Sequence, residues 1–476
     1  MTHRSSDRRD LSLWWDCLPG DERERVRPML DRSDQFDVVI VGAGFTGLWS
    51  AYYLSGRRPD LRIAVLEAET AGFGASGRNG GWCSGLLPLD LDSVAKRSSR
   101  EAALAMQRAA QQSVDEVGAV AAAEGIDARF AKGGYLRFAR SPLQADRLQA
   151  ALKYERAWEQ TDDDVRWLDR SAARERLGAD GVFGALWSRH CAAVDPARLV
   201  RGLAATVEGR GVALFERTPV TRITEHAVTT PYGEVRAQVV VQATEGYTRS
   251  LAGQRRRLLP MYSMVIATEP LPPSFWDDVG WEHRDTFNDE RRFLVYAQRT
   301  VDDRIVFGGR GAPYHLGSKI AAGFDHEPAV YDALQLSLLE FFPQLADAAI
   351  THRWGGVLGI PRDWWPSVVH DPATGAITAG GYAGDGVALT NLAGRTVAAL
   401  ADESTSGTKL ERSPADQTLL SLPWVGHHSP AWEPEPLRWL GINVGMRLAE
   451  SIDSSEDRRG RPAVLRDHLM RRLTGH

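Results

Sequence analysis

Gly42, Gly44 and Gly47 in VGAGFTG, followed by Glu67 at the end of LRIAVLE, have the types and spacing to hold a dinucleotide. Gly42 permits a tight turn, Gly44 lets a diphosphate touch bare backbone, and Gly47 lets a helix pack closely on a strand. A helix opening at Phe45 and Thr46 offers unpaired N–H groups and a partial positive charge to that diphosphate. Glu67 stands twenty residues past Gly47, where an acid can accept hydrogen bonds from ribose hydroxyls. An acid rather than a base at that point argues against a 2′-phosphate, and so against NADP.

The elements that must position these residues are legible around them. Residues 36–41, FDVVIV, form a continuous β-branched run, as in a strand buried on both faces of a parallel sheet. LWSAYYLSGRRP has helical spacing and is closed by Gly56 and Pro59. LRIAVLE is a second apolar run. The alternative is a purely structural glycine turn, but strand, glycines, helix, strand and acid occur here in the order of a βαβ unit.

The chain has 476 residues, 43% hydrophobic and 25% charged, an ordinary soluble globular composition. Its length suggests two or three domains, or two interleaved ones. A formal net charge of −5 gives no basic field for nucleic acid. No apolar run approaches the ~18–20 residues of a membrane span, and the first residues lack the apolar centre of a signal peptide. A cytoplasmic protein without membrane association is expected. Cys17, Cys83 and Cys191 share no CxxC spacing and are expected as reduced thiols. His427-His428 has no carboxylate or second histidine at ligand spacing, so no metal site is expected.

Beyond Glu67, the segment 68–81, AETAGFGASGRNGG, is rich in small residues. Ala68, Gly74, Ala75, Gly80 and Gly81 let backbone approach a ligand, while Ser76, Arg78 and Asn79 offer hydrogen bonds. ITAGGYAGDGVALTNLAGRTVAAL, residues 377–400, reads as a strand, a second glycine turn and a helix. With AVDPARLVRGLA (193–204), GVALFERTPVTRI (211–223) and VVVQAT (239–244), these segments resemble the D-amino-acid-oxidase-like FAD-dependent oxidoreductases of the glycine oxidase, sarcosine oxidase and DadA type. The resemblance covers roughly 35–400 and is nearest the gamma-glutamylputrescine oxidoreductase branch. In VVVQAT-EGYT, the residues EGYT replace a more usual Asn-Ala pair.

The resemblance implies an α/β fold: a Rossmann-like FAD-binding domain interleaved with an α+β substrate domain built on a large mixed sheet. The corresponding FAD-binding segments are 36–100, 185–255 and 345–405. Substrate-domain segments are 101–184 and 256–344, with extensions at 1–35 and 406–476. FAD is expected to be non-covalent, since the 74–81 region has no histidine and no cysteine follows Cys191. Val220 would contact adenine. Gly384, Asp385, Gly386 and Val387 would lie beneath the flavin, with backbone N–H groups toward its pyrimidine end. Asp385 replaces a histidine common in relatives and is expected to point away or pair with a base.

The reaction so implied is oxidation of a C–N bond, in which hydride passes from the carbon beside a neutral amine to flavin N5 and the resulting imine is hydrolysed. The electron acceptor is O2 or a quinone or other carrier. Amino-acid-oxidising relatives have an arginine where WGGVLGIPRDWWP, residues 354–366, places Leu358. An amine, γ-glutamylated or otherwise acyl-tailed, is therefore the expected substrate. A D-amino acid or N-methylglycine oxidase or dehydrogenase, a non-catalytic flavin-binding subunit and an NAD-dependent dehydrogenase are the alternatives. Arg310 and Arg362 are candidates for an anionic group, each with a structural ion pair as its alternative. Tyr262, Tyr296, Trp354 and Tyr382 are candidate aromatic walls or, equally, core residues.

Three peripheral expectations complete the reading. RFLVYAQRTVDDRIVFGGR forms a hairpin turning at Asp302-Asp303. LSLWWDCLP packs on the core through Trp14 and Trp15, with partner binding as the alternative. The tail from Trp432 forms a helix packed on the FAD-binding domain or, alternatively, lying on a membrane surface.

Overall fold

The β-branched run at 36–41 forms the strand Asp34–Val41, whose Val38, Val39 and Ile40 are fully buried. The computed structural model describes residues 7–309, 311–321, 323–406 and 412–474. In the first sheet the order is Ser367–Asp371, Ala376–Gly380, Gly233–Gln242, Asp34–Val41, Ile63–Leu66, Ala213–Phe215. All neighbours are parallel except the first pair. The helices Phe45–Arg57 and Gly386–Thr405 follow the two glycine turns and pack together, with Leu48, Trp49, Leu389 and Leu392 fully buried between the sheet and its cover.

The second sheet runs Ile350–Ile360, Leu259–Thr268, Ile305–Gly309, Val295–Arg299, Thr286–Asp289, Tyr135–Ala139, Gly184–Ser188, Val165–Leu168. Its pairs are antiparallel except Thr286–Asp289 with Tyr135–Ala139. One face packs on an aromatic core that includes Phe287, Phe307 and Phe341. The hairpin Val295–Arg299 with Ile305–Gly309 turns through Asp302 and Asp303, and Asp303 has φ 60°.

Three segments sit elsewhere than their sequence boundaries suggest. The strands Gly184–Ser188 and Ile350–Ile360 belong to the second sheet, although they fall at the edges of the segments 185–255 and 345–405. Helix Arg100–Ala123 packs into the first sheet's core beside Gly386–Thr405. Alternation shows that one face of a strand is buried but not which sheet it joins. The tail helix Leu437–Arg459 docks on the second sheet's periphery rather than on the first. Glu456 pairs with Arg147 at 2.6 Å, and Asp453 accepts from the backbone N–H groups of Arg292 and Phe293.

Near the other end, Trp14 and Trp15 are buried against Val265, Val306 and Trp354. No helix among the described residues is long and apolar enough to cross a membrane.

Candidate functional site

The first glycine turn is sterically closed to side chains. Gly42 has φ 105°, and a Cβ there would lie 2.6 Å from the Ala243 carbonyl oxygen. A Cβ on Gly47 would lie 2.0 Å from the Gly42 carbonyl oxygen. Ser76 Oγ accepts from the Phe45 N–H at 2.8 Å, and so holds the loop 74–81 against the helix N-terminus. Glu67 accepts from the N–H groups of Ala43 at 2.7 Å and Glu69 at 3.0 Å, and burial pushes its carboxyl up to about 7. Ala68 beside it is exposed.

The second turn is bound to the first. Tyr382 Oη and Thr46 Oγ1 are 3.1 Å apart. Glu245 accepts from the Gly381 N–H at 2.8 Å, and burial pushes this carboxyl also to about 7. Glu245 is the residue of EGYT that departs from Asn-Ala, and it clamps the turn. That departure was the only sequence signal for its role. Gly384 has φ 116° and is exposed, Gly386 opens the following helix, and Val387 is buried. Asp385 Oδ1 accepts from Ser84 Oγ at 3.4 Å.

The loop 74–81 is held from outside the first sheet. Three successive carbonyls are each taken by a side-chain donor. Ser12 Oγ donates to Gly77 at 3.0 Å, Trp354 Nε1 to Arg78 at 2.7 Å, and Trp14 Nε1 to Asn79 at 2.8 Å. Asn79 uses its amide on the loop itself, donating to the Ala75 carbonyl and accepting from the Gly81 N–H. Arg78 reaches Asp325 at 3.0 Å. These contacts of Arg78 and Asn79 brace the loop.

Facing this loop, the second sheet presents Tyr296, Ser263, Gly308, Gly356 and Leu358. Tyr296 Oη and Ser263 Oγ are 2.9 Å apart, and the Tyr296 ring lies 2.2 Å from where a Cβ on Gly80 would stand. Gly356 approaches Ala75 and Arg78, and Leu358, two residues on along the strand, is half-buried on the same face.

Of the other aromatic candidates, Trp354 lies on the same face of the sheet, two residues before Gly356, and packs on Trp14 with ring centroids 6.4 Å apart. The other two lie away from that wall. Tyr382 is buried in the first sheet's core, and Tyr262 points to the opposite face of the second sheet beside Met264 and Ile266. Val220 packs with Phe36 and Leu66.

Arg362 pairs with Glu433 at 2.9 Å and lines a surface cleft of about 500 Å³ with Lys96, Arg97 and Trp365. Arg310 lies outside the described residues. His427 Nε2 meets Asp363 Oδ2 at 2.8 Å, a carboxylate partner that sequence spacing did not show. Among the described residues no group of three or more His, Cys, Asp or Glu is placed to hold a metal ion.

A glycine turn closed to side chains at Gly42 and Gly47, a second glycine-rich turn, a helix N-terminus and a half-buried acid just past the second strand fit a dinucleotide. Comparison with known proteins agrees. The family model described as DAO, FAD dependent oxidoreductase, matches residues 37–400. The chain is 30% identical over 379 residues to gamma-glutamylputrescine oxidoreductase of Escherichia coli, covering 78% of this chain and 84% of that protein. It is 28% identical over 387 residues to the probable oxidoreductase OrdL of Haemophilus influenzae, covering 78% of this chain and 84% of that protein. Among solved structures, glycine oxidase from Geobacillus kaustophilus superposes with a TM-score of 0.65 at 23% identity, over 78% of this chain and 95% of that one. The chain therefore belongs to the DAO family of FAD-dependent oxidoreductases, enzymes that use FAD to oxidise amine or amino-acid C–N bonds.

Proposed function

We propose that this chain oxidises an acyl-tailed amine, of the γ-glutamyl-amine class, in the cleft between the two glycine turns and the Tyr296 wall. The observation that carries the reading is Leu358, an apolar side chain on the cleft-facing strand next to Gly356. A carboxylate beside it would be desolvated without a partner, which costs several kcal/mol. An uncharged carbon chain suits it. The relative at 30% identity is named for such a substrate.

Bound FAD supplies the hydride acceptor. The residues that would hold it are Gly42, Gly44, Phe45 and Thr46 at the diphosphate, Glu67 at the ribose, Val220 at the adenine, and the loop 74–81 along the flavin. The helix beginning at Gly386 directs its N-terminal N–H groups at the turn, where they favour negative charge on a neighbouring group. Tyr296 and Ser263 form a polar edge on the facing wall that can orient an amine. In this reading the cofactor is non-covalent. The Cys83 thiol is buried within a strand pair and pushed well above its ordinary range by that burial.

An anaerobic screen following flavin absorbance tests the substrate class. γ-Glutamyl-amines are expected to bleach the flavin faster than D-amino acids or N-methylglycines, and the reverse order would overturn the proposal. Leu358→Arg is expected to shift kcat/KM toward amino acids relative to amines by roughly 10- to 100-fold, the range of one charge-assisted pair. Trp14→Phe removes the donor to Asn79 together with part of a buried ring. It is expected to raise the FAD Kd roughly 2- to 10-fold, as read by flavin fluorescence, and to lower apoprotein melting through the cavity left beside Trp354.

A further inference from the structure

The wall that carries Tyr296 continues across two more strands to a charged cluster that nothing described so far uses. Asn288 stands beside Tyr296 in the sheet and is in register with Arg137, all three on the same face. At a strand spacing of ~4.8 Å, Arg137 lies about 10 Å from Tyr296. Trp82, the residue after Gly81, bridges the interval with its ring against both Tyr135 and Tyr296. The row thus leads from the flavin loop to Arg137.

Arg137 is half-buried, its side chain 28% exposed and so open to a ligand. It donates through Nε and Nη2 to a single oxygen, Glu290 Oε1, at 3.0 and 2.5 Å. Nη1 and Glu290 Oε2 have no hydrogen-bond partner among the described residues. Glu155, on the helix Pro142–Ala157 over the same face, has no side-chain hydrogen bond or ion pair there either. Burial raises its carboxyl while the charge of Arg137 opposes the rise. A fourth group is independent of these charges. Asn288 is 7% exposed, and its buried Oδ1 has no hydrogen-bond partner.

One cation with a spare N–H, two carboxylates with spare oxygens and an orphan amide oxygen are complementary to a zwitterion. We infer that Arg137, Glu290, Glu155 and Asn288 form a subsite for the free α-amino-acid head of the substrate's tail. The carboxylate takes Arg137 Nη1, and the ammonium takes Glu290 Oε2, Glu155 and Asn288 Oδ1. This rests on the proposed amine oxidation and deepens it, because a γ-glutamyl tail ends in such a zwitterion. The subsite compensates for Leu358. The cleft has no cation at that position but keeps one at the far end, so the carboxylate it reads is the tail's and not one beside the reacting carbon.

The test compares γ-glutamylputrescine with N-acetylputrescine and free putrescine on wild-type holoenzyme, Arg137→Met and Glu155→Gln. The γ-glutamyl substrate is expected to exceed N-acetylputrescine by roughly 10- to 100-fold in kcat/KM. Arg137→Met is expected to remove that advantage through KM while changing N-acetylputrescine less than threefold. Glu155→Gln breaks no side-chain hydrogen bond or ion pair among the described residues, so it is expected to fold as wild type and to raise KM for the γ-glutamyl substrate alone. Equal loss on both substrates overturns the subsite. So does a preference for free putrescine that survives Arg137→Met, since that indicates a purely cationic tail. Failure of the underlying reading has a separate signature, in that no amine would bleach the flavin. Glutamate, a tail mimic, then still tests the subsite. A glutamate-induced change in the flavin absorption of wild type that is absent in Arg137→Met supports it, and no change in wild type overturns it.

Discussion

Gly47→Ala is expected to yield a chain that no longer retains FAD. An added methyl would sit 2.0 Å from the Gly42 carbonyl oxygen and 3.2 Å from the Ile40 side chain. Neither neighbour can yield. The Gly42 oxygen belongs to the turn that must face the diphosphate, and Ile40 is fully buried in the central strand. The helix Phe45–Arg57 must therefore lift from the sheet, carrying with it the N–H of Phe45 and the Thr46 hydroxyl that joins the second turn. Overpacking of this kind typically costs 1–3 kcal/mol or more, and it falls on the geometry that holds the ligand. A loss of at least ~100-fold in FAD affinity is expected, read as flavin absorbance per protein after desalting, with far-ultraviolet circular dichroism to show the fold retained. Gly441→Ala is the control. It lies within the tail helix with nothing within 4 Å of its Cβ, and should be neutral or stabilising by up to ~1 kcal/mol. Gly47→Ala purifying yellow with unchanged affinity would show that the close approach does not matter.

The second large effect is expected at a buried charge network behind the site. Glu216 is fully buried, and its Oε1 accepts from Thr70 Oγ1 at 2.9 Å, the Ala71 N–H at 3.0 Å, and Nη1 of both Arg27 and Arg201 at 3.2 Å. Both arginines are almost completely buried. Glu216→Gln leaves them facing each other without the central anion. Breaking a buried ion pair from one side costs roughly 3–5 kcal/mol, so a large fall in urea or thermal midpoint is expected. Thr70 and Ala71 begin the loop after Glu67, so FAD retention should weaken as well.

The pH dependence has a definite sign. Burial pushes the Glu216 carboxyl up, but the Ala71 N–H and the charges of Arg201 and Arg27 outweigh it and hold the group below its ordinary value of 4.5. Its contribution is therefore complete above about pH 4.5 and is lost as pH falls through the lower folded value. Wild type should show this acid-side loss, and Glu216→Gln should lack it. Equal stability of the two proteins at pH 7 would refute the network's role.

What was legible in the sequence was local. FDVVIV, the three glycines and Glu67 lie within about thirty residues and obey rules of spacing along one strand, one turn and one helix. The strand, turn and helix at 377–400 were legible for the same reason, as was the hairpin at Asp302-Asp303. Trp14 and Trp15 could be expected in the core because a pair of tryptophans is rarely left in water.

Tertiary structure alone decided how these pieces meet. The Thr46–Tyr382 contact joins residues 336 positions apart, and the Trp14 bond to Asn79 spans 65. Neither has a periodicity to betray it. Glu245 is an unremarkable acid until the strand Gly233–Gln242 carries it to the Gly381 N–H. The period-two pattern of Ile350–Ile360 fits either sheet, and only pairing with Leu259–Thr268 places Leu358 on the face that carries Gly356 and Ser263. The sequence by itself determined a dinucleotide turn, because steric closure at a glycine is a property of a few neighbouring residues. Which side chains brace that turn, and which charges share a sheet face with Tyr296, depended on contacts between distant segments, where side-chain direction is set by sheet register and not by chain order.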